Sequence, residues 1–164
     1  MTSLASGNLP AANTLTLSNI SGSYIDLVLS VRDFYFAADD YLNVRFNGDT
    51  GNNYGWVALA QSAENTASIN TDGIRDRLFA TFDDGKENAD KNTFASILIR
   101  DYANTSHNKI LDIRSVVRDQ TDVYNTQVTV FANFNSSAAI TSITIFTQNT
   151  SNFSGGTYEL YGVK

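Results

Sequence analysis

The most constraining feature of this sequence is an alternation of apolar and polar residues with a period of two. Side chains along a β-strand point to opposite faces in turn, so this pattern places one face on a core and the other in water. The segment Tyr24–Phe34 shows it best. Its odd positions carry Ile25, Leu27, Leu29 and Val31, and its even positions carry the polar residues Asp26, Ser30 and Arg32. The same pattern recurs at residues 42–46, 111–118, 124–130 and 142–145. These segments predict an all-β chain.

Five weaker candidate strands raise the total to about ten, at residues 14–20, 54–60, 77–82, 94–100 and 157–163. The chain contains 18 asparagines, and because Asn caps turns with its own side chain, this bias suits short strands joined by many loops. Short strands without helical segments between them are typical of a sandwich rather than of βαβ units. We therefore predict an antiparallel β-sandwich of jelly-roll type, with Gln61–Ile74 as a long loop.

No linker, repeat or change of composition divides the chain, so residues 13–164 are predicted to form a single domain. The preceding segment, Met1–Ala12, consists mostly of small, uncharged residues and contains the only proline, Pro10. We expect it to be an extended N-terminal arm, which frays in a free protein and lies along a neighbouring subunit in an assembly. The arm and the long loop are the segments from which we expect contacts to partners.

Charge and composition exclude several classes of function. The net charge is −6, from 17 acidic and 11 basic residues without a basic run, which argues against nucleic acid and anionic membranes as partners. There is no cysteine and only one histidine, His107, so we expect neither a disulfide nor a thiolate or histidine-rich metal site. The apolar runs are too short for a membrane span, and the N-terminal residues do not match a secretory signal. Synthesis in the cytoplasm without export is the expectation.

Catalytic motifs are equally scarce. The sequence has no G-x-S-x-G nucleophile elbow, and a single histidine in a turn gives no basis for a Ser/His/Asp triad. Solvated turns explain the clustered acids better than the paired carboxylates of a glycosidase do, at Asp39–Asp40, Asp83–Asp84, Glu87 and Asp90. The segment Asn47–Asn53 offers oxygens to calcium as an alternative, but it lacks EF-hand spacing and a tight hairpin turn explains it. We predict no enzyme, no cofactor, no catalytic residue and no metal ligand.

Aromatic and apolar residues supply the candidate binding positions. Trp56 follows Tyr54 and Gly55, and it either packs in the core on the face of Ala58 and Ala60 or stacks on a sugar ring. Exposed aromatic side chains commonly anchor protein interfaces. The candidate interface residues are two aromatics, two residues of the long loop and four of the arm: Trp56, Tyr102, Ile69, Ile74, Thr2, Leu4, Leu9 and Pro10.

Three motifs resemble a known group of proteins. They are the segment Tyr41–Tyr54, which reads YLNVRFNGDTGNNY, the segment Ile99–Asn104, which reads IRDYAN, and the ending Phe153–Lys164, which reads FSGGTYELYGVK. In this order they are similar to small virion proteins of tailed phages, notably of marine and cyanobacterial hosts. Members of that group resemble jelly-roll decoration (cement) proteins or appended domains of tail and fibre proteins. No catalytic residue comes with the resemblance.

The resemblance implies a capsid decoration protein that binds the outer surface of the major capsid protein lattice and stabilises the head. It also implies a homotrimer on the capsid exterior, made in the host cytoplasm. The alternative is a carbohydrate- or receptor-binding module of a phage tail fibre or baseplate, for which Trp56 would supply the sugar platform. Both expectations are adhesion rather than catalysis.

Overall fold

The computed structural model describes residues 1–62, 67–81, 93–118 and 125–164. Within these ranges the chain is all-β, as the alternation predicts, and it contains no helix that could span a membrane. Twelve strands form there: β1 (Thr2–Asn8), β2 (Thr14–Leu17), β3 (Asp26–Phe36), β4 (Leu42–Phe46), β5 (Tyr54–Ser62), β6 (Ala67–Arg75), β7 (Leu78–Phe79), β8 (Thr93–Ile99), β9 (Lys109–Arg118), β10 (Asn125–Phe134), β11 (Ile143–Thr147) and β12 (Phe153–Val163).

The strands form two antiparallel sheets that enclose one core. The large sheet has eight strands in the order β1-β12-β3-β8-β9-β10-β5-β6, and the small sheet has four in the order β2-β11-β4-β7. Aromatic rings join the two sheets, since Phe46 of the small sheet lies 5.5 Å from Phe134 and 6.2 Å from Tyr54 of the large one. The architecture is therefore sandwich-like, as predicted.

The alternation correctly identifies the buried faces. Leu27, Leu29 and Val31 of β3 are fully buried, as are Leu42 and Val44 of β4. Each such side chain contributes about 1.5–3 kcal/mol to folding when it leaves water. Ile25 is the exception to the predicted pattern: it lies one residue before β3 begins and is 56% exposed, although its N–H bonds to the Val163 carbonyl at 2.8 Å.

The predicted N-terminal arm is instead an edge strand. Residues 2–8 form β1, in which Ser3 pairs with Tyr161 and Asn8 with Thr157. The Leu9 N–H then donates to the Gly156 carbonyl at 2.9 Å. These ladder bonds order a segment whose composition alone predicts fraying, because they satisfy backbone groups that solvent would otherwise bind.

The predicted long loop is largely a strand as well. Residues 67–75 form β6, which pairs with β5 in the register Leu59↔Ile69 and Gln61↔Ala67. Asn70, Asp72 and Gly73 interrupt any apolar alternation in this segment, which is why the sequence pattern favours a loop. The pairing with β5 overrides that weak local preference.

The segment Asn47–Asn53 is a corner between sheets and not a hairpin turn. It links β4 of the small sheet to β5 of the large one. Asn47 and Gly48 both adopt positive φ angles, of 54° and 67°, which Asn and Gly tolerate best. The Tyr54 hydroxyl ties the corner down by accepting from the Phe46 N–H at 3.0 Å and donating to the Asp49 carbonyl at 3.1 Å.

Candidate interaction surface

The strongest candidate site is a group of exposed apolar side chains on the outer face of the large sheet. Eight large hydrophobic residues are exposed in the described part of the chain, and six of them lie on neighbouring strands β9, β10, β5 and β6. Their exposed fractions lie between 40% and 72%. We call these six residues the apolar patch: Val57, Leu59, Ile69, Ile74, Ile110 and Phe131.

The strand register places four of these residues in direct contact range on one face. Phe131 pairs with Val57, and Leu59 pairs with Ile69. Residues directly opposite each other in an antiparallel pair share a face, with Cβ atoms about 4.5–5.5 Å apart. Trp56 and Ala58 alternate with Val57 and Leu59 along β5 and are buried, so the face that carries Val57 and Leu59 is the outer one.

The remaining two members extend the apolar patch toward the other end of the strands. Ile110 pairs with Asn133, which is two residues from Phe131 and therefore on the same face. A bulge in β6 lies between the pairs Tyr54↔Arg75 and Trp56↔Asp72, and it puts Ile74 opposite Gly55. Since Tyr54 and Trp56 point inward, Gly55 and Ile74 belong to the outer face.

The residues of the apolar patch are spread over an area comparable with that of functional surfaces. Four strands at a spacing of ~4.8 Å and five residues at ~3.3 Å each cover roughly 19 Å by 17 Å, or about 300 Å², and this area also contains the polar residues Asp112, Thr129 and Asn133. Contiguous apolar patches of about 300–600 Å² are the largest that ordinary monomers expose, and they are often binding sites.

Charges on the outer face of the large sheet are mostly paired with each other. Arg100 bonds to Asp112 at 3.0 Å, and Arg32 lies 3.5 Å from Glu159. Arg114 is also exposed on this face. The whole chain has a net charge of −6, but these residues of the face show no such excess of acids. The face is therefore suited to apolar contact rather than to electrostatic attraction of a charged partner.

The structure separates the predicted interface residues into two groups. Ile69 and Ile74 are exposed and lie in the apolar patch, Thr2 is exposed on β1, and Leu4 and Pro10 are half-buried. Three others are core residues and not surface anchors: Leu9, Trp56 and Tyr102.

Trp56 cannot serve as a sugar platform, because it is only 6% exposed and packs edge-on against Phe79 at 5.6 Å. The core alternative is the right one for this residue. Tyr102 is fully buried and its hydroxyl donates to the Ser21 carbonyl, which anchors one loop to another. Burial also raises the pKa of Tyr102 above its usual value, which is the direction expected for a structural phenol.

Four members of the apolar patch were not singled out by the sequence analysis: Val57, Leu59, Ile110 and Phe131. The signal that could have found two of them is the run from Trp56 to Ala60, which is apolar at both odd and even positions. A strand that is apolar on both faces while belonging to a two-layer fold must expose one of them. Ile110 and Phe131 carry no comparable local signal.

Buried charged groups in the described residues serve loops rather than chemistry. The Asp40 carboxylate accepts backbone N–H bonds from Tyr41, Asn149 and Ser151 at 2.8–3.0 Å, which joins two loops. The Lys109 ammonium group donates to the carbonyls of His107 and Ser137 at 2.9 and 3.2 Å. Burial lowers the pKa of Lys109, with the Asp101 charge acting in the opposite direction.

No metal centre emerges among the residues that the structure describes, because no three His, Cys, Asp or Glu side chains converge there. In the corner, the Asp49 carboxylate is engaged by the Gly51 N–H at 2.7 Å and by the Asn53 amide at 2.9 Å. These bonds are the turn chemistry that the sequence analysis weighs against calcium. The acids Asp83–Asp84, Glu87 and Asp90 lie outside the described residues.

His107 lies in an exposed turn, with its Nε2 3.7 Å from a carboxylate oxygen of Asp101. This agrees with its interpretation as a surface loop residue. A neighbouring acid and an exposed position are insufficient for a catalytic dyad, since no nucleophile contacts the ring in the described structure.

Comparisons with known proteins add no relative: no family model matches the chain, and no curated protein or solved structure is significantly similar to it. The function must therefore be inferred from the surface itself.

Proposed function

We propose that this chain is a structural adhesion protein of the capsid decoration type, which binds the major capsid protein lattice through the apolar patch. The observation that carries the proposal is the concentration of six of the eight exposed large apolar residues of the described chain on one sheet face. Exposed apolar surface of this extent is costly in a protein that has no partner to cover it.

The outer face of the large sheet is large enough for a specific interface. Eight strands at ~4.8 Å spacing and about seven residues at ~3.3 Å each cover about 38 Å by 23 Å, or roughly 900 Å². Stable protein interfaces bury about 800 Å² on each partner. The apolar patch would form the centre of such an interface, and the paired charges of Arg32 and Arg100 would lie toward its rim.

A decoration protein needs only binding. It stabilises a preformed lattice by mass action, because it favours the assembled state over the dispersed one. Many copies, each with a modest interface, multiply that effect over a shell. The resemblance supplies the further elements of the proposal: a homotrimer, the capsid exterior as location, and synthesis in the host cytoplasm.

The jelly-roll assignment belongs to this proposal too. In the small sheet, every pair of neighbouring strands is distant in the sequence, in the order β2-β11-β4-β7. Such alternation of early and late strands is what the Greek keys of a jelly roll produce. The large sheet departs from a four-stranded jelly-roll layer, since it contains the meander β8-β9-β10 and the hairpin β5-β6.

The second candidate, a carbohydrate- or receptor-binding module of a tail fibre or baseplate, is less favoured. Its predicted platform, Trp56, is in the core. Phe131 is the one aromatic residue among the exposed large hydrophobic residues of the described chain, and it pairs with Val57 on one side and with Asp112 on the other, so no second exposed ring lies opposite it. A low copy number per virion would favour this candidate, and a high one favours decoration.

The decisive experiment compares Leu59→Lys with Ile25→Lys in co-sedimentation with mature capsids that lack the protein. Both residues are exposed, at 45% and 56%, but only Leu59 belongs to the apolar patch. Truncation or charging of a central anchor typically costs about 2 kcal/mol or more, so we expect Leu59→Lys to weaken binding about 30-fold or more. Ile25→Lys is expected to bind like the wild type.

Two results would contradict the proposal. One is a wild-type protein that never co-sediments with capsids, and the other is a folded Leu59→Lys variant with unchanged affinity. Thermal unfolding of each variant checks the fold. Because the described charges of the face are mostly paired, we also expect only a small change of affinity with salt, in contrast to the steep dependence of a charge-driven complex.

A further inference from the structure

An open cleft lies between the two sheets at the end of the large sheet that is farthest from the apolar patch. Its volume is about 300 Å³, enough for about ten water molecules at ~30 Å³ each. Its walls come from the edge strands β1 and β2, from β12 and from the loop that follows β2. The lining residues are Leu4, Ala5, Thr16, Leu17, residues 18–21 and Leu160.

The chain path explains why the cleft exists. β1 is an edge of the large sheet and β2 is an edge of the small one, and residues 9–13 cross from one to the other. The crossing closes one end of the space between the sheets, where Leu9 is buried. A bulge between Ser3 and Ala5 turns Leu4 and Ala5 toward the interior opposite Leu160, and the space beyond them stays open.

The chemistry of the walls selects the class of ligand. No charged residue precedes Asp26, and Leu160 is apolar, so the cleft is lined without charge. Apolar side chains of Leu4, Leu17 and Ile20 alternate with the hydroxyl and amide groups of residues 18–21. An ion would gain no counter-charge there, whereas a neutral ligand with apolar and hydrogen-bonding groups would be satisfied.

The open strand edge narrows the choice to a peptide. β2 pairs with β11 on one side only, in an uninterrupted register from Thr14↔Phe146 to Leu17↔Ile143. Its other edge presents backbone N–H and C=O groups at strand spacing, and another strand can pair with them in a continuous ladder. A lipid chain has no hydrogen-bonding groups to offer, and the hydroxyls of a sugar do not repeat at strand spacing. β1 is the less suitable edge, because its bulge breaks the regular spacing.

We propose that this cleft binds an extended, uncharged peptide segment, which pairs with the open edge of β2 and inserts alternate apolar side chains between the sheets. The site is separate from the apolar patch and does not depend on the proposed function. A segment of a neighbouring protein with alternating apolar and small polar residues is the chemistry that fits.

The test uses a capped seven-residue peptide that alternates valine and threonine, added to the full-length protein and followed by amide NMR. We expect chemical-shift changes at residues 14–21 and at Leu4 and Ala5, and hydrogen exchange of the outward-facing β2 amides slowed about tenfold. Shift changes centred on Val57 and Leu59 would overturn the proposal. So would the absence of binding, or binding without protection of the β2 amides, which would indicate a ligand that does not form a strand.

A matched pair of variants on β1 tests the location. Ala5 pairs with Leu160 and lines the cleft, whereas the next residue, Ser6, pairs with Glu159 on the outer face and is exposed. Ala5→Phe fills the cleft and is expected to weaken peptide binding at least about tenfold, while Ser6→Phe is expected to leave it unchanged. A folded Ala5→Phe variant that binds normally contradicts the proposal, and if that variant unfolds, the exchange measurement on the wild type decides.

Discussion

Removal of the Tyr54 hydroxyl tests how the corner between the sheets is held. This phenol is fully buried, and its oxygen bonds to the Phe46 N–H and the Asp49 carbonyl, as described above. In Tyr54→Phe the ring can keep its stacking on Phe134, 4.9 Å away, but the Phe46 N–H loses its partner in a buried site. The cost of one unsatisfied buried donor is about 1–3 kcal/mol, so we expect a loss of that size near pH 8.

The same substitution predicts a change with pH. Burial, reinforced by the charge of Asp49, raises the pKa of Tyr54 from 10.0 to about 12, against the Phe46 hydrogen bond and Arg45, which lower it. The folded state therefore keeps the proton that the unfolded state releases above pH 10. The stabilising contribution is fully present below pH 10 and is lost as the pH rises through 12, by about 2–3 kcal/mol for a shift of about two pKa units.

Urea unfolding of both proteins between pH 8 and pH 11.5, followed by far-ultraviolet circular dichroism, measures the difference directly. Phenylalanine does not titrate, so the stability advantage of the wild type should shrink steadily above pH 10. Burial raises the pKa of Tyr102 and lowers that of Lys109, so the two residues change the stability with pH in opposite directions. Both effects are the same in the two proteins, and they cancel when the difference in stability is taken. A difference that stays constant across this range would refute the reasoning.

Substitutions at three further positions probe other contacts. Lys109→Met leaves the carbonyls of His107 and Ser137 without their donor, and urea unfolding should show a loss of about 2–3 kcal/mol; an unchanged midpoint would contradict the role of the buried ammonium group. Hydrogen bonds from Arg77, and then from Arg45, lower the pKa of Asp76 despite its partial burial, so its contribution is present above the unfolded value of 3.8 and is lost as the pH falls below it. The stability difference between the wild type and Asp76→Asn should accordingly narrow as the pH falls below 3.8, and a difference that does not narrow there would exclude this linkage. Asn47→Ala loses bonds to Thr141, Ser142 and Ala139 and strains a positive φ, whereas Asn47→Gly loses only the bonds, so thermal unfolding should rank alanine about 1 kcal/mol less stable than glycine.

The sequence pattern correctly predicts the strands that have one face in the core and the other face toward solvent. β3, β4 and β9 alternate clearly, and most of their apolar positions are buried, although Ile110 of β9 is 62% exposed. β1 and β6 could not be recognised from the sequence, because they are ordered by pairing with another strand and not by a local pattern of their own. β1 pairs with β12 at the other end of the chain, and β6 pairs with β5. Asn47-Gly48 correctly signals a turn, but whether that turn closes a hairpin or crosses between sheets depends on which sheet each strand joins, and this is tertiary information.

Ile69 and Ile74 are exposed, but not because they lie in a loop, and their role as interface residues stays a prediction. Both residues were assigned to a loop, yet both are exposed because an edge strand presents them on the outer face. For Trp56 the prediction as an interface residue is wrong, and the alternative of a core position on the face of Ala58 is confirmed. In a strand the face is decided by parity relative to buried neighbours, and Trp56 has the same parity as Tyr54 and Ala58, which are fully buried.

The edge strands of the large sheet are irregular, which favours binding through a sheet face over edge-to-edge pairing with a second sheet. Both edges of the large sheet carry a bulge, in β1 between Ser3 and Ala5 and in β6 opposite Gly55. Bulges disturb the regular spacing that a second sheet would need, so they protect an edge from polymerisation. The edge of the small sheet at β2 has no such irregularity in its register, and it is also the edge that borders the cleft. Among the described residues, the apolar patch and the β2 edge are therefore the surfaces that we propose for binding, the first for a folded partner and the second for a single extended strand.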